Sequence, residues 1–364
     1  MRCSFHIQDP ADQDTLYLYE AIIEQLMKES LRSWRGIFAF ATGRAVRNLF
    51  IEDPDGKAFT HRGETSLIVG IDAVTDVSAL VELSHLTKTI AGFDAKVFMN
   101  PSNGLFHPKV SHFTHHNGSS VLIVGSGNFT SGGLKNNIEA FTIITGNEEE
   151  LLSVSAWDRF LVRHGENIKE INEDALERAR LNKAMTRKRR PKIREAEPEE
   201  PATEEIAEVE IEPIIEEDSK VLVARVPKAG ERWNQIHYNK EVVNSFFHAR
   251  SDSSQRLFLK EIKSDGTSGP DEVRPLVYSK TNKNYKVEVS AKRGIEHPGS
   301  ETPPIIVLRE VGLRSFRYML LLPGDSGYDE LLKFTEETQS IGKGLSRVLT
   351  RMSTLLIKWT ECPL

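Results

Sequence analysis

Residues 105–141 read LFHPKVSHFTHHNGSSVLIVGSGNFTSGGLKNNIEAF, and the fold turns on how this stretch divides. Side chains of an extended strand alternate between faces, so His107 and Lys109, two positions apart, point to one side and can meet a single phosphate. Pro108 between them has no N–H for a sheet ladder, which suits a strand at an edge or bulged beside a site. A turn over residues 115–119 leads into Ser120, Val121, Leu122, Ile123 and Val124, an apolar, β-branched run expected of a strand buried on both faces. It ends in Gly125-Ser126-Gly127-Asn128, where glycines let a backbone approach an anion and Asn128 adds an amide donor. After a second turn at Gly132-Gly133, residues 138–144 start another strand with Glu139 at its mouth.

A histidine, a lysine, an amide and a carboxylate at the ends of neighbouring strands can attack and hold a phosphodiester without a metal. His107 would be the nucleophile, Lys109 and Asn128 would take the oxyanion charge, and Glu139 would fix the imidazole tautomer. Ser126 and Thr130, on either side of Asn128, are expected substrate contacts.

Upstream, residues 17–34 carry Leu18, Ala21, Ile22, Leu26 and Leu31 at a helical period and lead into a strand over 36–41. A second strand is expected over 67–71, a helix over 74–90 and a further strand over 95–99. Strands separated by helices predict an α/β domain with a mixed, largely parallel sheet flanked by helices, whose ligands gather at strand ends.

The sequence HPK, then GSGNFTSGGL, then NNIEAF resembles the phospholipase D superfamily. The resemblance is to its nuclease branch, in which the aspartate of the HxK(x)4D signature gives way to a later Asn and Glu; Thr114 stands where that aspartate would be. It covers residues 1–180 and implies a phospholipase D-like domain with His107, Lys109, Asn128 and Glu139 as the catalytic set, as in the metal-independent BfiI/NgoFVII-like restriction endonucleases. The motif occurs once, whereas such chemistry needs one histidine to attack phosphorus and another to protonate the leaving oxygen. A homodimer through the N-terminal domain would supply the second. His112, His115 and His116 raise a rival thought of zinc, but no Cys, Asp or Glu joins them at ligand spacing, and neither metal nor cofactor is expected.

The chain has 364 residues, 39% apolar and 27% charged, enough for two domains. No apolar run matches a bilayer span and no signal-peptide core opens the chain, and Cys3 and Cys362 stand far apart; a cytoplasmic protein without a membrane partner is expected. Nine basic residues between 178 and 194 precede twelve acidic ones between 195 and 218, so residues 181–219 are expected to be a basic-then-acidic linker. That block is either a solvated spacer or a nucleic-acid mimic that occupies a basic surface until DNA displaces it. Residues 220–364 carry 23 Lys and Arg against 17 Asp and Glu, a net +6, whereas residues 1–177 carry 15 against 24, a net −9. DNA affinity is therefore expected in the C-terminal domain.

That domain is strand-rich, with short β-type runs at 220–226, 256–260, 273–278, 285–289, 305–309 and 316–323 before the chain turns helical at 327. Residues 232–240 are expected to form one loop, and Arg232, Trp233, Asn234, Gln235, Asn239 and Lys240 in it are candidate base and phosphate contacts, together with Lys280, Lys283, Lys292 and Arg293. The same residues also read as a polar loop leading into a helix over 241–247. Domain order implies, through the resemblance, a mainly-β, B3-like pseudobarrel over 220–364.

The expectation is a metal-independent, sequence-specific endonuclease for double-stranded DNA, with a cognate methyltransferase or a helicase/ATPase as a possible partner. Alternatives are a recognition or nuclease subunit of a helicase-dependent defence system, and a phosphodiesterase acting on RNA or lipid.

Overall fold

The structure is a computed structural model, and it describes residues 1–100, 105–151, 153–188, 218–228, 233–249, 255–280, 283–338, 340–341 and 346–364. The chain divides into two compact units: Met1–Pro10, Asp14–Ile51 and Asp55–Ile211 make one, and Ala11–Gln13, Glu52–Pro54 and Glu212–Leu364 the other.

The first unit holds strands β1 (Arg2–Gln8), β2 (Leu31–Phe38), β3 (Glu64–Gly70), β4 (Phe93–Phe98), β5 (Lys109–His115), β6 (Ser119–Gly125), β7 (Glu139–Asn147) and β8 (Ile168–Glu170). They form one sheet in the order β1-β7-β6-β5-β2-β3-β4-β8. The sheet is mixed, as expected, but it is largely antiparallel: only the β2–β3 and β3–β4 pairs run parallel. The reason is connection length. Helices Pro54–Arg62 and Val77–Thr89 give the crossovers that parallel neighbours need, whereas β5 and β6 are joined through Gly118 at φ +77°, a tight turn that can only fold the chain back on itself.

Two expectations upstream are corrected. The helix expected over 17–34 spans Leu18–Leu26, and the strand expected over 36–41 begins at Leu31 and ends at Phe38. Leu31 and Trp34, which fit a helical period, are buried residues of β2. The strand over residues 120–124 is present, but it is not buried on both faces: Val121 and Ile123 are buried while Val124 is 39% exposed. In register with it, Phe5 pairs with Thr142 and Thr142 with Val124, and on that face Phe5 and Ile7 stay 66% and 59% exposed. The opposite face is core: Trp34 stacks on Phe113 at 5.6 Å and meets Phe50 and Phe129.

The second unit is mainly β, with β9 (Lys220–Arg225), β10 (Gln235–Tyr238), β11 (Arg256–Ile262), β12 (Ser268–Pro275), β13 (Val277–Ser279), β14 (Asn284–Glu288), β15 (Ile305–Gly312), β16 (Ser315–Leu321) and β17 (Arg347–Arg351). A six-stranded sheet runs β12-β11-β16-β15-β9-β17 and a three-stranded one β10-β14-β13. Alternation along the strands builds three layers. Val221, Val223, Ile305 and Val307 pack with Leu331, Phe334 and Leu355 of helices Tyr328–Glu337 and Met352–Lys358, while Leu222, Ile306, Leu308 and Leu320 pack with Ile236, Tyr238, Tyr285 and Val287 of the small sheet. Asp53 and Arg256, both fully buried, pair at 2.7 Å within this unit, so neither charge is left without a counter-ion.

Helix Glu173–Lys188 runs through the expected boundary at residue 180 and takes in the start of the basic run. The rest of the expected linker, residues 189–217, lies outside the described residues. No described helix is long and apolar enough to cross a membrane.

Candidate active site

Buried aromatic side chains anchor the backbone beside the candidate residues. Phe106, just before His107, stacks on Phe98 at 4.2 Å. Phe129, just after Asn128, is wholly buried and lies 5.2 Å from Phe38 and 5.9 Å from Phe50. Phe141, two residues after Glu139, is 1% exposed and pairs with Gly125 at the end of β6. Because β5 starts, β6 ends and β7 starts at one edge of the sheet, Lys109, Gly125 and Glu139 fall at the same end.

Lys109 Nζ lies 2.8 Å from His107 Nε2. An ammonium group only donates, so Nε2 accepts and carries the lone pair, and the ring proton of a neutral imidazole sits on Nδ1. That tautomer can attack through Nε2 once the Lys109 hydrogen bond to the same lone pair is released. The Phe40 ring meets the imidazole edge-on at 5.9 Å, and the Phe129 N–H donates to the Phe40 carbonyl at 3.0 Å, which sets the Asn128–Phe129 peptide beside the residue that flanks His107. Lys109, Asn128 and Glu139 are buried at 8%, 2% and 8% exposure, whereas His107 is exposed, so of the four the imidazole is the accessible group.

The role expected of Glu139 is to orient the imidazole. Its contacts here run to Ser126, whose hydroxyl donates to the carboxylate, and to Asn137, whose amide donates to Oε1 at 3.3 Å. Ser126 in turn accepts from the Ala140 N–H at 3.0 Å, closing β6 against β7 at the site. Thr130, expected at the substrate, is 2% exposed, and its hydroxyl accepts from the Gly133 N–H at 3.0 Å; it shapes the turn. That turn needs glycine at two places. A Cβ on Gly127 would stand 2.6 Å from the Gly133 carbonyl, and one on Gly133 would stand 2.3 Å from the Asn128 nitrogen. Only bare backbone lets these segments close on Asn128.

Two residues that belong to no motif hold the site from a distance. Gln8, fully buried at the end of β1, pairs with Glu139 across the strands. Its amide accepts from Leu18 N–H at 2.8 Å and donates to the carbonyls of Asn137 at 2.9 Å and Gly133 at 3.3 Å. Asp72, just past β3, accepts from the Phe106 N–H at 3.3 Å and from Arg178 at 2.9 Å, so it braces the segment that carries His107. An acidic residue directly after an apolar strand run is the sequence signal for Asp72; Gln8 offers none, because its partners at Gly133 and Asn137 lie more than a hundred residues away.

The clustered histidines part company. His112 lies 2.5 Å from the Ser120 hydroxyl and His115 lies 3.0 Å from the Ser30 hydroxyl. Burial, then Lys28 and His116, push the His115 pKa below its ordinary value. Among the described residues no three His, Cys, Asp or Glu side chains gather as metal ligands would.

In the second unit, residues 235–238, expected within a loop, form β10. Trp233 is 4% exposed and donates its indole N–H to the Ile295 carbonyl at 2.7 Å, and Asn234 donates to the Val289 carbonyl at 2.8 Å. Asn239 caps the short helix at Lys240–Val242, accepting from the Val242 N–H at 2.9 Å. These three candidates have side chains committed to the fold. Lys240, Lys280 and Lys283 are exposed, Lys292 pairs with Asp325 at 3.1 Å, and Arg293 pairs with Glu288 at 2.6 Å. Arg232 lies outside the described residues.

No family model matches the chain, and no curated protein matches it significantly. Solved structures similar to part of it include NucT from Helicobacter pylori, at 14% identity and a TM-score of 0.33, covering 46% of this chain and 98% of that one. A phospholipase D family member, Nuc from Salmonella typhimurium, is 15% identical with a TM-score of 0.32, again over 46% of this chain and 98% of the other. Yeast tyrosyl-DNA phosphodiesterase is 12% identical with a TM-score of 0.29, over 46% of this chain and 41% of its own length. Likeness at these scores decides neither fold nor activity for this chain.

Proposed function

We propose that this chain is a metal-independent, sequence-specific DNA endonuclease of the phospholipase D type, working as a homodimer in the manner of a restriction enzyme. The observation that carries the reading is the 2.8 Å contact between Lys109 Nζ and His107 Nε2, which holds an exposed imidazole in the tautomer that can attack through Nε2, with buried Asn128 and Lys109 as donors. In the first step the Nε2 lone pair forms the P–N bond as the bond from phosphorus to the 3′-oxygen breaks. His107 of the partner subunit gives that oxygen its proton. The same partner imidazole then takes a proton from water, whose oxygen attacks phosphorus and breaks the P–N bond. Lys109 and Asn128 hold the non-bridging oxygens throughout.

The need for a second histidine is the reason for a dimer, whose twofold axis would run beside the strand ends that carry His107. Residues 220–364 of the second unit, with their net +6, are proposed as a B3-like module that would recognise the DNA sequence, with a methyltransferase guarding the host sites.

The test is cleavage of mixed-sequence duplex DNA in EDTA by wild-type chain, by His107→Ala chain and by an equal mixture of the two. Cleavage that survives chelation, vanishes with His107→Ala and falls in the mixture to about a quarter is expected, since random pairing leaves that share of dimers intact. Dependence on added Mg²⁺ would overturn the mechanism, and a mixture at one half would overturn the shared site.

A further inference from the structure

The small sheet of the second unit has one face in the core and one outside it. Register assigns every side chain: Ile236 pairs with Val287 and Tyr238 with Tyr285, and these four are buried. The alternate positions therefore share the other face. Gln235 stands opposite Glu288, His237 opposite Lys286, Lys286 opposite Val277, and Asn284 opposite Ser279. The β10 strand ends where β14 begins and β13 ends, so Lys240, Lys280 and Lys283, all exposed, gather at that end of the sheet. Among the described residues none of Lys240, Lys280, Lys283 and Lys286 has a carboxylate partner, whereas Arg293 at the other end is neutralised by Glu288.

We propose that this outer face of β10-β14-β13 lies in the major groove of duplex DNA, with Gln235, His237 and Asn284 at base edges and Lys240, Lys280, Lys283 and Lys286 on the flanking phosphates. The inference rests on the reading of the chain as a DNA-binding nuclease and locates its recognition surface. The major groove, about 12 Å wide, admits a two-stranded ribbon, and two neighbouring strands of this sheet lie about 4.8 Å apart. Chemistry agrees as well. Gln and Asn amides present a donor and an acceptor together, the pair that adenine's N7 and N6 require. His237 accepts from the Asn284 amide at Nδ1, 3.2 Å away, which leaves Nε2–H as a donor in the neutral ring. Burial, then Lys286 and Arg347, hold the pKa of His237 below its ordinary value and keep it neutral at pH 7. Lysines without carboxylate partners, at a face that also carries two amides, a neutral ring, Ser279 and Val277 and whose one carboxylate, Glu288, is paired to Arg293 at the far end, are what a polyanion with readable edges would meet.

The test uses the full chain in EDTA with His107→Ala, so that bound DNA stays whole, in gel-shift titrations on a randomised duplex pool from 50 to 200 mM salt. Replacing Lys280, Lys283 and Lys286 together with Ala should make the slope of log K against log salt shallower by about 2.7, that is about 0.9 for each phosphate no longer neutralised. The control replaces Lys263, Lys333 and Lys358, exposed on other elements of the same unit, and should leave the slope unchanged. Gln235→Ala with Asn284→Ala should keep affinity for the pool while broadening the sequences selected from it. Failure of the starting chain to bind the pool at any salt would remove the DNA-binding reading itself. Binding that the face triple leaves intact, or that both triples weaken alike, would overturn the placement while the DNA reading stands, as would unchanged sequence selection in the Gln235/Asn284 variant.

Discussion

The two units present their chemistry in opposite ways. In the first, reactive side chains sit at strand ends, next to or near aromatic residues that lock the backbone, so a run of one-dimensional sequence already contains both the group and its anchor: Phe106-His107, Asn128-Phe129, Glu139-Ala140-Phe141. In the second, the polar residues of 233–240 look alike in sequence, and the fold sorts them: pairing sets the parity within β10, while Trp233 and Asn234 precede that strand. Trp233 and Asn234 turn to backbone carbonyls inside, Gln235 and His237 to the outer face. A motif at a strand end can be read from its spacing, whereas a surface on a sheet needs the register.

The contrast between the units is strongest at the nucleophile. His107→Ala should reduce cleavage by on the order of 10⁴-fold or more, because no other group supplies the attacking lone pair, while leaving the melting temperature within a degree or so and DNA binding intact. Binding that disappears together with cleavage would mean that the two units do not divide the work.

Next in size is Gln8→Leu, which leaves the Leu18 N–H and the Asn137 and Gly133 carbonyls without their buried partner. Denaturant unfolding should show a loss of about 3 kcal/mol, from roughly 1–3 kcal/mol for each unsatisfied buried group with partial relaxation. Unchanged stability would show that the Asn128–Glu139 turn holds its shape by local sequence alone.

In the second unit, Asn234→Ala should cost about 1–2 kcal/mol of stability through removal of the hydrogen bond to Val289, with the selected DNA sequences unchanged. A shift in selected sequence without a loss of stability would return Asn234 to the recognition surface and blur the sorting of residues 233–240.

The smallest effect concerns acid. The pKa of His115 is depressed by burial, so the folded state favours the neutral ring. Its contribution is present above the ordinary histidine value of about 6.5 and is lost as pH falls through the lower folded value. Unfolding followed between pH 7 and 5 should show His115→Gln less sensitive to acid than the starting chain; identical pH profiles would mean that other groups govern the acid limb.

Much of the first unit is legible in sequence because its signals are local. The apolar runs at 67–71 and 95–99 lie within β3 and β4 or overlap them, and the helix expected over 74–90 spans Val77–Thr89. Direction is not legible: parallel and antiparallel strands share the same apolar pattern, and the hairpin between β5 and β6 outweighs the βαβ habit of the preceding elements. Leu31 and Trp34 mislead because the register shifts between Leu31 and Ser33, so that two residues three apart, as on a helix face, come to the same buried side of β2. Gln8 escapes because its partners are distant in sequence, whereas Asp72, directly after the apolar run of β3, carries a local signal. In the second unit β10 and β17 are hidden: four or five residues with alternating polar positions look like loop until a neighbour pairs with them.

The position of β1 sets the order in which the site comes into being. Gln8 is made early, yet its partner carbonyl at Asn137 lies 129 residues further along the chain, and β1 pairs with the very last stretch of the sheet's central hairpins. At roughly 5–20 residues per second of synthesis, the gap is roughly 6–26 s. During that interval the first strand has no neighbour, Glu139 has no register and the glycine turn has no lock. Loop closure over so long a span comes late and is slow beside the helices and hairpins that form within it. A nascent chain therefore carries His107 and Lys109 for some time before the sheet that sets them beside the Asn128 turn and Glu139 has closed.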